Sequence, residues 1–369
     1  MFWDKNENPI FAQGISGQNN QGPDCELPTV KLPTMISILL PTFNTAPYLA
    51  ECLDSILAQT EQDWELIAVN NFSTDSSPEI LQAYAERDRR IRFFHNDDVL
   101  GKTGVSPAMR FAFRLARGPL ITRMDSDDIM PPNRLALMKK MLTEQGPGHV
   151  ATGAVRFFGE NGVGEGFLRY ADWLNGLAVS GRHCEEIYRE NVLPSPCWMA
   201  WHSDLVLAAA FEEDVYPEDY DLTFRLRHAG ARIVATTELL HLWRERPDRT
   251  SRTDPRYLDN SYLDLKTHWF LRTDHDPARP LVLWGAGRKG KRLAALLRMG
   301  EVPFRWVCDQ PSKWGHVVSG VAMESFEVLS QMPEAQVIVA VAAVDGQADI
   351  QDFLEKSGKV AGRDFWFFC

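Results

Sequence analysis

Long apolar runs and paired cysteines are what this 369-residue sequence lacks. No apolar run approaches the ~20 residues that a membrane-spanning helix needs, and the first residues do not follow the basic-then-apolar order of a secretory signal peptide. The six cysteines are scattered and include no C-x-x-C pair, which favours reduced thiols in a cytosolic protein. We therefore expect a cytoplasmic protein without a transmembrane segment, whose association with a membrane is at most peripheral.

Basic charge is also scarce. The chain carries 39 Lys and Arg residues against 50 Asp and Glu residues, which gives a formal net charge of -11. A broad electrostatic grip on nucleic acid needs a basic surface that displaces counterions, so we expect no nucleic-acid partner. A small phosphorylated substrate is compatible with an acidic protein, because a metal ion or a local arginine cluster can neutralise its phosphates.

The distribution of apolar residues predicts two α/β domains. Residues 1–33 are rich in Asn, Gln, Gly and Pro and show no hydrophobic periodicity, which predicts a disordered extension. Short apolar runs then alternate with amphipathic segments, the pattern of a parallel, doubly wound sheet. We expect a first domain at 34–255, a helical linker at 256–278 and a smaller α/β domain at 279–369.

The clearest chemical signal is the acidic run Asp125-Ser126-Asp127-Asp128, which directly follows the fourth predicted strand. Ligands of open parallel sheets bind beyond the carboxyl ends of the strands. Crowded carboxylates repel one another, and a hard divalent cation with oxygen ligands relieves that repulsion and can bridge to substrate phosphates. The run therefore predicts a metal site, although a turn in which Asp128 caps the next helix is the alternative.

Two further motifs stand at the ends of the first and second predicted strands: Pro41-Thr42-Phe43-Asn44 and the run from Glu65 to Asp75. With the acidic run, they make residues 35–142 resemble the family 2 glycosyltransferases of the GT-A fold. The family pattern reads roughly P-T-Y-N, then E-[IL]-I-V-V-D-D-G-S-T-D, then A-x-G-x-Y-I-x-x-x-D-A-D-D.

The resemblance implies a nucleotide diphosphate sugar as donor. It implies that Asp125 contacts the nucleoside and that Asp127, together with Asp128, holds Mg2+ or Mn2+ on the diphosphate. It also assigns the nucleobase to the ends of the first two strands, where the candidate residues are Pro41, Thr42, Phe43, Asn44, Asn70 and Asn71.

One departure from the family pattern concerns the base. The paired aspartates and the glycine of the second motif are Asn70, Asn71 and Phe72 in this chain. A carboxylate only accepts hydrogen bonds, whereas an amide also donates them. Either the chain recognises a base other than uracil, or backbone contacts dominate and the substitution is tolerated.

The segment Glu218-Asp219-Tyr220-Asp221 resembles the family's E-D-x-D-L-x-x-R motif, which carries the catalytic base. An acceptor hydroxyl must lose its proton as it attacks the anomeric carbon, so we predict Asp219 as the base, with Glu218 as the second candidate. The alternative is a helix whose first turn is acidic only because acids suit the helix dipole.

Farther along, Arg244 and Arg246 fall in a segment that resembles the family's Y-R-x-H-P-x-S-x-S tail, with Arg246 at the usual histidine. Arginine does not ligate metals, but its planar fork suits phosphate oxygens. The two side chains are candidates for binding the departing diphosphate, or else they are solvated loop charges.

A second nucleotide site is predicted near the C-terminus. Gly285, Gly287 and Gly290 form a G-x-G-x-x-G pattern between a strand and a helix, and Asp309 ends the next strand at the spacing of a ribose-binding acid. The remaining chain is only half of a full dinucleotide-binding fold. A structural or regulatory role, or mononucleotide binding, is therefore favoured over redox chemistry for this smaller, Rossmann-like domain.

Taken together, these signals predict an inverting, metal-dependent glycosyltransferase that moves a sugar to an acceptor hydroxyl. The expected acceptor is a saccharide, a lipid-linked saccharide or another hydroxyl compound, in surface polysaccharide or glycoconjugate synthesis by analogy. Two alternatives stand beside it: an NAD-dependent oxidoreductase that uses the C-terminal domain, and a non-catalytic protein that binds nucleotide sugars.

Overall fold

The computed structural model describes residues 34–96, 104–160, 162–212, 215–246 and 262–369. Residues 34–369 form one compact unit that contains two β-sheets. The predicted disordered extension, 1–33, lies outside the described residues, as do the first residues of the predicted linker.

The first sheet is built from short apolar segments that are buried on both faces, as parallel strands covered by helices usually are. In β1 (Ile36–Thr42), for example, every residue except Pro41 is buried. The other strands of this sheet are β2 (Trp64–Asn70), β3 (Ile91–His95), β4 (Leu120–Arg123), β5 (His149–Phe158), β6 (Trp198–Trp201) and β7 (Arg232–Arg244).

The strand order of the first sheet is β3-β2-β1-β4-β6-β5-β7. All neighbours run parallel except β6, which is antiparallel to both β4 and β5. The carboxyl ends of β1, β2 and β4 therefore meet at one edge of the sheet, and the residues predicted to bind the donor lie at these ends.

Helices alternate with these strands along the chain. Their bounds are α1 (Ala46–Leu57), α2 (Ser77–Arg87), α3 (Val105–Leu115), α4 (Arg134–Gln145), α5 (Glu165–Ser180), α6 (His183–Glu186), α7 (His202–Leu207) and α8 (Glu218–His228). One more helix of the described residues, α9 (Leu263–Thr273), lies between β7 and the second sheet along the chain.

The second sheet has the order β10-β11-β9-β8-β12-β13 and is parallel except for the short strand β10. Its strands are β8 (Leu281–Trp284), β9 (Arg305–Cys308), β10 (Val317–Val318), β11 (Val321–Ser325), β12 (Gln336–Val339) and β13 (Phe365–Phe367). Two helices accompany them, α10 (Arg288–Met299) and α11 (Val344–Lys356).

Strands and helices alternate from β1 to α4, as the alternation of apolar runs and amphipathic segments in the sequence predicts. The predicted α/β fold class with a second, smaller α/β sheet is confirmed. The domain boundaries stay predictions. Among the described residues, no helix is both long enough and apolar enough to cross a membrane.

Candidate active site

The acidic turn after β4 is fixed in place by β7. Ile129 and Leu242 exchange two backbone hydrogen bonds, at 3.1 and 3.0 Å, and so join the turn to the last part of β7. On the other side, the Thr45 hydroxyl donates to the Ser126 hydroxyl at 2.9 Å. The turn is therefore held between the loop that follows β1 and the strand that carries the predicted arginines.

Asp128 lies at the base of this turn and is almost fully buried. Its carboxylate accepts hydrogen bonds from His241 Nε2 at 2.9 Å and from the Arg244 backbone N–H at 2.7 Å. Arg134, which only donates, contacts His241 Nδ1 at 2.9 Å, so Nδ1 is the acceptor and Nε2 carries the proton. The Arg134–His241–Asp128 chain holds the turn from within, and Asp128 is not a helix cap.

Asp127 stands next to the predicted arginines. Arg246 Nε donates to Asp127 Oδ2 at 2.8 Å, and Arg244 Nε donates to the Asp127 carbonyl oxygen at 2.7 Å. Arg244 also pairs with Glu51. Both guanidinium groups are largely buried, so the interpretation of these arginines as solvated loop charges is wrong.

The third carboxylate, Asp125, is joined to helix α8. Arg123 Nε donates to Asp125 Oδ1 at 2.7 Å, and its Nη1 donates to Glu218 Oε1 at 3.3 Å. Arg123 is buried, at 7% exposure. A single guanidinium therefore connects the acidic turn with the first residue of α8, and the predicted catalytic segment lies beside the predicted donor-binding turn.

Burial changes the acidity of these groups. Burial, Asp128 and Asp125 together raise the pKa of Asp127 to about 6, although Arg246 opposes the shift. Burial also raises the pKa values of Glu218 and Asp219, and Arg123 offsets part of both increases. A carboxylate with a raised pKa is a stronger base, which suits the role predicted for Asp219.

The acidic turn supplies some, but not all, of the ligands that a divalent cation needs. Asp125 and Asp127 supply hard oxygen donors, and a cation between them would lower the electrostatic cost of ionising Asp127. The contacts of Asp128 with His241 and Arg244 do not favour direct ligation by that residue. Within the described ranges no three His, Cys, Asp or Glu side chains are grouped to hold a metal by themselves. Mg2+ commonly takes one or two carboxylates and completes its shell with substrate phosphates and water.

Hydrogen bonds of both side chains and backbone join the segments at the ends of β1 and β2. Asn44 Oδ1 accepts from the Thr74 backbone N–H at 2.8 Å, and Asn71 N–H donates to the Thr42 carbonyl oxygen at 2.8 Å. The Thr42 hydroxyl is fully buried and has no hydrogen-bond partner among the described residues. The side chain of Phe43, by contrast, is 55% exposed.

The two asparagines that replace the family's aspartates are engaged in the fold. Asn70 Oδ1 accepts from the Ser73 N–H at 3.1 Å, while its amide group contacts His95 Nδ1 at 3.2 Å. Asn71 donates to the Gly104 carbonyl oxygen at 3.0 Å and accepts from Asn96 at 2.9 Å. The amides thus use both their donor and their acceptor atoms, which a carboxylate could not do.

The predicted second nucleotide site is a tight strand-to-helix loop after β8. Gly285 has a φ of +130°, and a Cβ atom on Gly290 would lie 2.0 Å from the Gly285 carbonyl oxygen. The same oxygen accepts from Trp306 Nε1 at 2.8 Å. These two glycines therefore have a packing role. Gly287 and Asp309 are exposed, and nucleotide binding at this loop stays a prediction.

Comparison with known proteins finds similarity to glycosyltransferases. Residues 37–202, somewhat less than half of the chain, match the family model of Glycosyl transferase family 2. The fold is the GT-A fold of glycosyltransferases. It is similar to the crystal structure of Staphylococcus aureus TarS 1-349 in complex with UDP-GlcNAc, with a TM-score of 0.51, 18% identity and 71% of each chain covered.

Two curated relatives illustrate the sequence similarity. Glycosyltransferase GlyG of Streptococcus pneumoniae is 38% identical over 111 residues, which are 30% of this chain and 36% of that protein. The uncharacterized glycosyltransferase MJ1057 of Methanocaldococcus jannaschii is 28% identical over 243 residues, 64% of this chain and 79% of that protein. The chain spans about a third of the length of the first curated relatives that it matches.

Sequence reasoning assigned no role to three residues that organise the site: Arg123, Arg134 and His241. Arg123 lies two residues before Asp125, and that position near three carboxylates is a local signal for an ion pair. Arg134 and His241 are 107 residues apart and meet only in the folded chain, so no local pattern identifies them.

Proposed function

We propose that this protein is an inverting glycosyltransferase that moves a sugar from a nucleotide diphosphate donor to an acceptor hydroxyl. The observation that carries the proposal is the Arg123 bridge, which places the acidic turn and the first turn of α8 side by side. The similarity to family 2 glycosyltransferases over residues 37–202 supports the same reaction class.

In this reaction the acceptor oxygen forms a bond to the anomeric carbon while the bond from that carbon to the diphosphate breaks. The bonding electron pair leaves with the diphosphate, and the acceptor proton passes to a base on the opposite face of the sugar. Asp219 is the base in our proposal, because its raised pKa favours proton acceptance and Arg123 limits the shift, so that the ionised form is available. Glu218, which Arg123 contacts directly, orients that guanidinium.

The departing diphosphate needs positive charge. The candidates within the chain are two arginines. Arg246 contacts the Asp127 carboxylate, and Arg244 contacts the Asp127 carbonyl oxygen. Asp127 and Asp125 would hold Mg2+ or Mn2+, which supplies charge stabilisation to the diphosphate when it is bound. Asp128 would keep the turn in position through its hydrogen bonds with His241 and the Arg244 backbone.

For the donor base, the loops after β1 and β2 are the proposed pocket, with Thr42, Asn44, Asn70 and Asn71 around it and Phe43 exposed at its rim. Because TarS was crystallised with UDP-GlcNAc, a uridine donor is the first to test. The asparagine network motivates including guanosine and thymidine donors in the same panel. The acceptor is proposed as a saccharide or lipid-linked saccharide, and the site of action as the cytoplasm.

The test is a donor panel with matched variants. Purified protein is incubated with UDP-, GDP- and dTDP-sugars and a panel of saccharide acceptors, with Mn2+ or with EDTA, and release of the nucleoside diphosphate is measured. We expect release from one nucleotide class, dependent on the metal, and a loss of about 10²–10⁴-fold in Asp219→Asn, the range for removing a general base.

Asp264→Asn is the control, since Asp264 occupies the first turn of α9 as Asp219 occupies that of α8. It should retain the wild-type rate. Equal rates in wild type and Asp219→Asn, or absence of release from every donor, would contradict the proposed function. Reduction or oxidation of NAD(H) by the wild type would favour the oxidoreductase alternative.

A further inference from the structure

Helix α8 carries both candidate acids in its first turn, so its placement against the acidic turn governs the geometry of the proposed reaction. The third acid of that turn, Asp221, is buried at 5% exposure and has a different environment from Asp219. Arg225 Nε donates to Asp221 Oδ2 at 2.5 Å, as the spacing of four residues along a helix allows. The other carboxylate oxygen, Oδ1, accepts from a residue of α9.

That residue is Trp269, whose indole Nε1–H donates to Asp221 Oδ1 at 2.9 Å. Trp269 is 5% exposed and its ring lies parallel to that of Phe224, with centroids 6.2 Å apart. The Arg225 guanidinium lies 5.7 Å from the same indole ring. A hydrogen bond from a neutral donor to a buried carboxylate is stronger than one between neutral groups, so this contact fixes the start of α8 firmly.

The end of α8 is attached to α9 as well. Arg227 Nη2 donates to Asp274 Oδ1 at 2.5 Å, and Asp274 Oδ2 accepts from the Tyr188 hydroxyl at 2.6 Å. His228 contacts the Thr273 hydroxyl at 3.2 Å. Polar contacts at both ends of α8 therefore determine its rotation and its position along the axis of α9.

Helix α9 rests in turn on the second sheet. Phe270 packs against Trp366 and Phe368, with ring centroids 5.1 and 5.7 Å apart. Gln336, the first residue of β12, donates to the Asp274 carbonyl oxygen at 2.7 Å. Aromatic residues of α8, α9 and the second sheet share one hydrophobic cluster, so the second sheet and α8 are packed through a common core.

We propose that Trp269 is a positioning residue for the glycosyl transfer, and that the second sheet acts in catalysis by holding α8 through Trp269 and Asp221. The inference rests on the proposed function, because it assumes that α8 bears the base. It gives the C-terminal part a role in the reaction that does not depend on whether the Gly285 loop binds a nucleotide.

The experiment compares Trp269→Phe with Trp306→Phe. Each change keeps an aromatic ring and removes one buried indole donor, and Trp306 lies in the same C-terminal part with its Nε1 2.8 Å from the Gly285 carbonyl oxygen. The first readout is hydrogen–deuterium exchange of peptides covering α8, which needs no ligand. We expect exchange at α8 to rise about ten-fold in Trp269→Phe and to stay at the wild-type rate in Trp306→Phe.

The second readout is turnover with the donor that gives the largest product signal in the panel described above. We expect kcat of Trp269→Phe to fall about ten-fold, with an unchanged KM for the donor and a displaced acid limb of the pH–rate profile. Unchanged α8 exchange in Trp269→Phe, or equal effects in both variants, would overturn the inference. A wild type that uses no donor would contradict the proposed function, and the exchange comparison would still decide whether Trp269 holds α8.

Discussion

Both sheets present a loop at the carboxyl end of a central strand, and the two loops are stabilised in different ways. The loop after β4 holds charges that are largely or fully buried: Asp127 pairs with Arg246, and Asp128 accepts from His241. In the loop after β8, Gly290 approaches the Gly285 carbonyl oxygen closely, and Gly287 and Arg288 are exposed. Buried, incompletely neutralised charge is costly for folding and is typical of functional sites, whereas glycine packing is explained by the fold alone.

Two similar sequence patterns can differ in how well they predict a functional site. A strand followed by three aspartates and a strand followed by G-x-G-x-x-G both predict a ligand site by position. The carboxylates of the first loop pair with two largely buried arginines, Arg123 at the end of β4 and Arg246 just after β7. The second loop belongs to the second sheet, which packs against α8 through α9. We infer that this sheet positions α8.

The largest difference should appear between removing the buried carboxylate of the loop after β4 and removing an exposed carboxylate that follows β9 in the second sheet. Asp128→Ala leaves His241 and the Arg244 backbone N–H without their buried acceptor, so we expect a loss of about 3–5 kcal/mol in the free energy of unfolding. Asp309→Ala is the exposed counterpart and should stay within about 0.5 kcal/mol of wild type. Urea denaturation monitored by tryptophan fluorescence measures both. Similar losses of unfolding free energy in the two variants would show that the buried carboxylate stabilises the fold no more than the exposed one.

A smaller effect is expected for the glycine loop. Gly290→Ala places a Cβ atom 2.0 Å from the Gly285 carbonyl oxygen, and relieving that clash should cost about 2 kcal/mol. Gly287→Ser is the control, since no atom lies within 4 Å of a Cβ there and serine is a good N-cap residue. Thermal and urea unfolding of the pair provide the measurement. Wild-type stability of Gly290→Ala would mean that the loop has room for a side chain and that packing does not explain its glycines.

The smallest expected effect is the pH dependence of Asp127. Its pKa of about 6 in the folded protein exceeds the usual ~3.9 of an unfolded aspartate, so the folded state binds the proton more tightly. The contribution of Asp127 to the free energy of unfolding therefore decreases as the pH rises from about 4 to about 6, and is lowest at neutral pH.

Asp127→Asn removes the loss of stability that accompanies ionisation of Asp127. It also removes the ionic contact with Arg246. Without divalent cations we expect the variant to exceed wild type by about 1–2 kcal/mol at pH 7 and to approach it at pH 4. Unfolding free energies measured across that range, with and without Mn2+, are the check. A variant that is less stable than wild type at pH 7 without metal would show that the pair with Arg246 outweighs the carboxylate repulsion.

The sequence by itself determined the local elements and the identity of the acidic turn. Apolar runs such as the one in β1 and the amphipathic spacing of α1 depend on residues within one segment, so their period predicts strand or helix directly. The acidic run after β4 and the glycines after β8 were predicted for the same reason. These signals are contiguous in the chain.

The tertiary structure decided which of these residues work together. His241 reaches Asp128 across 113 positions, Arg123 reaches Glu218 across 95, and Trp269 reaches Asp221 across 48. Contacts between segments so far apart depend on strand order and helix packing, and no local periodicity encodes them. The buried carboxylate Asp128 and the attachment of α8 to the second sheet could be recognised only once the chain was folded.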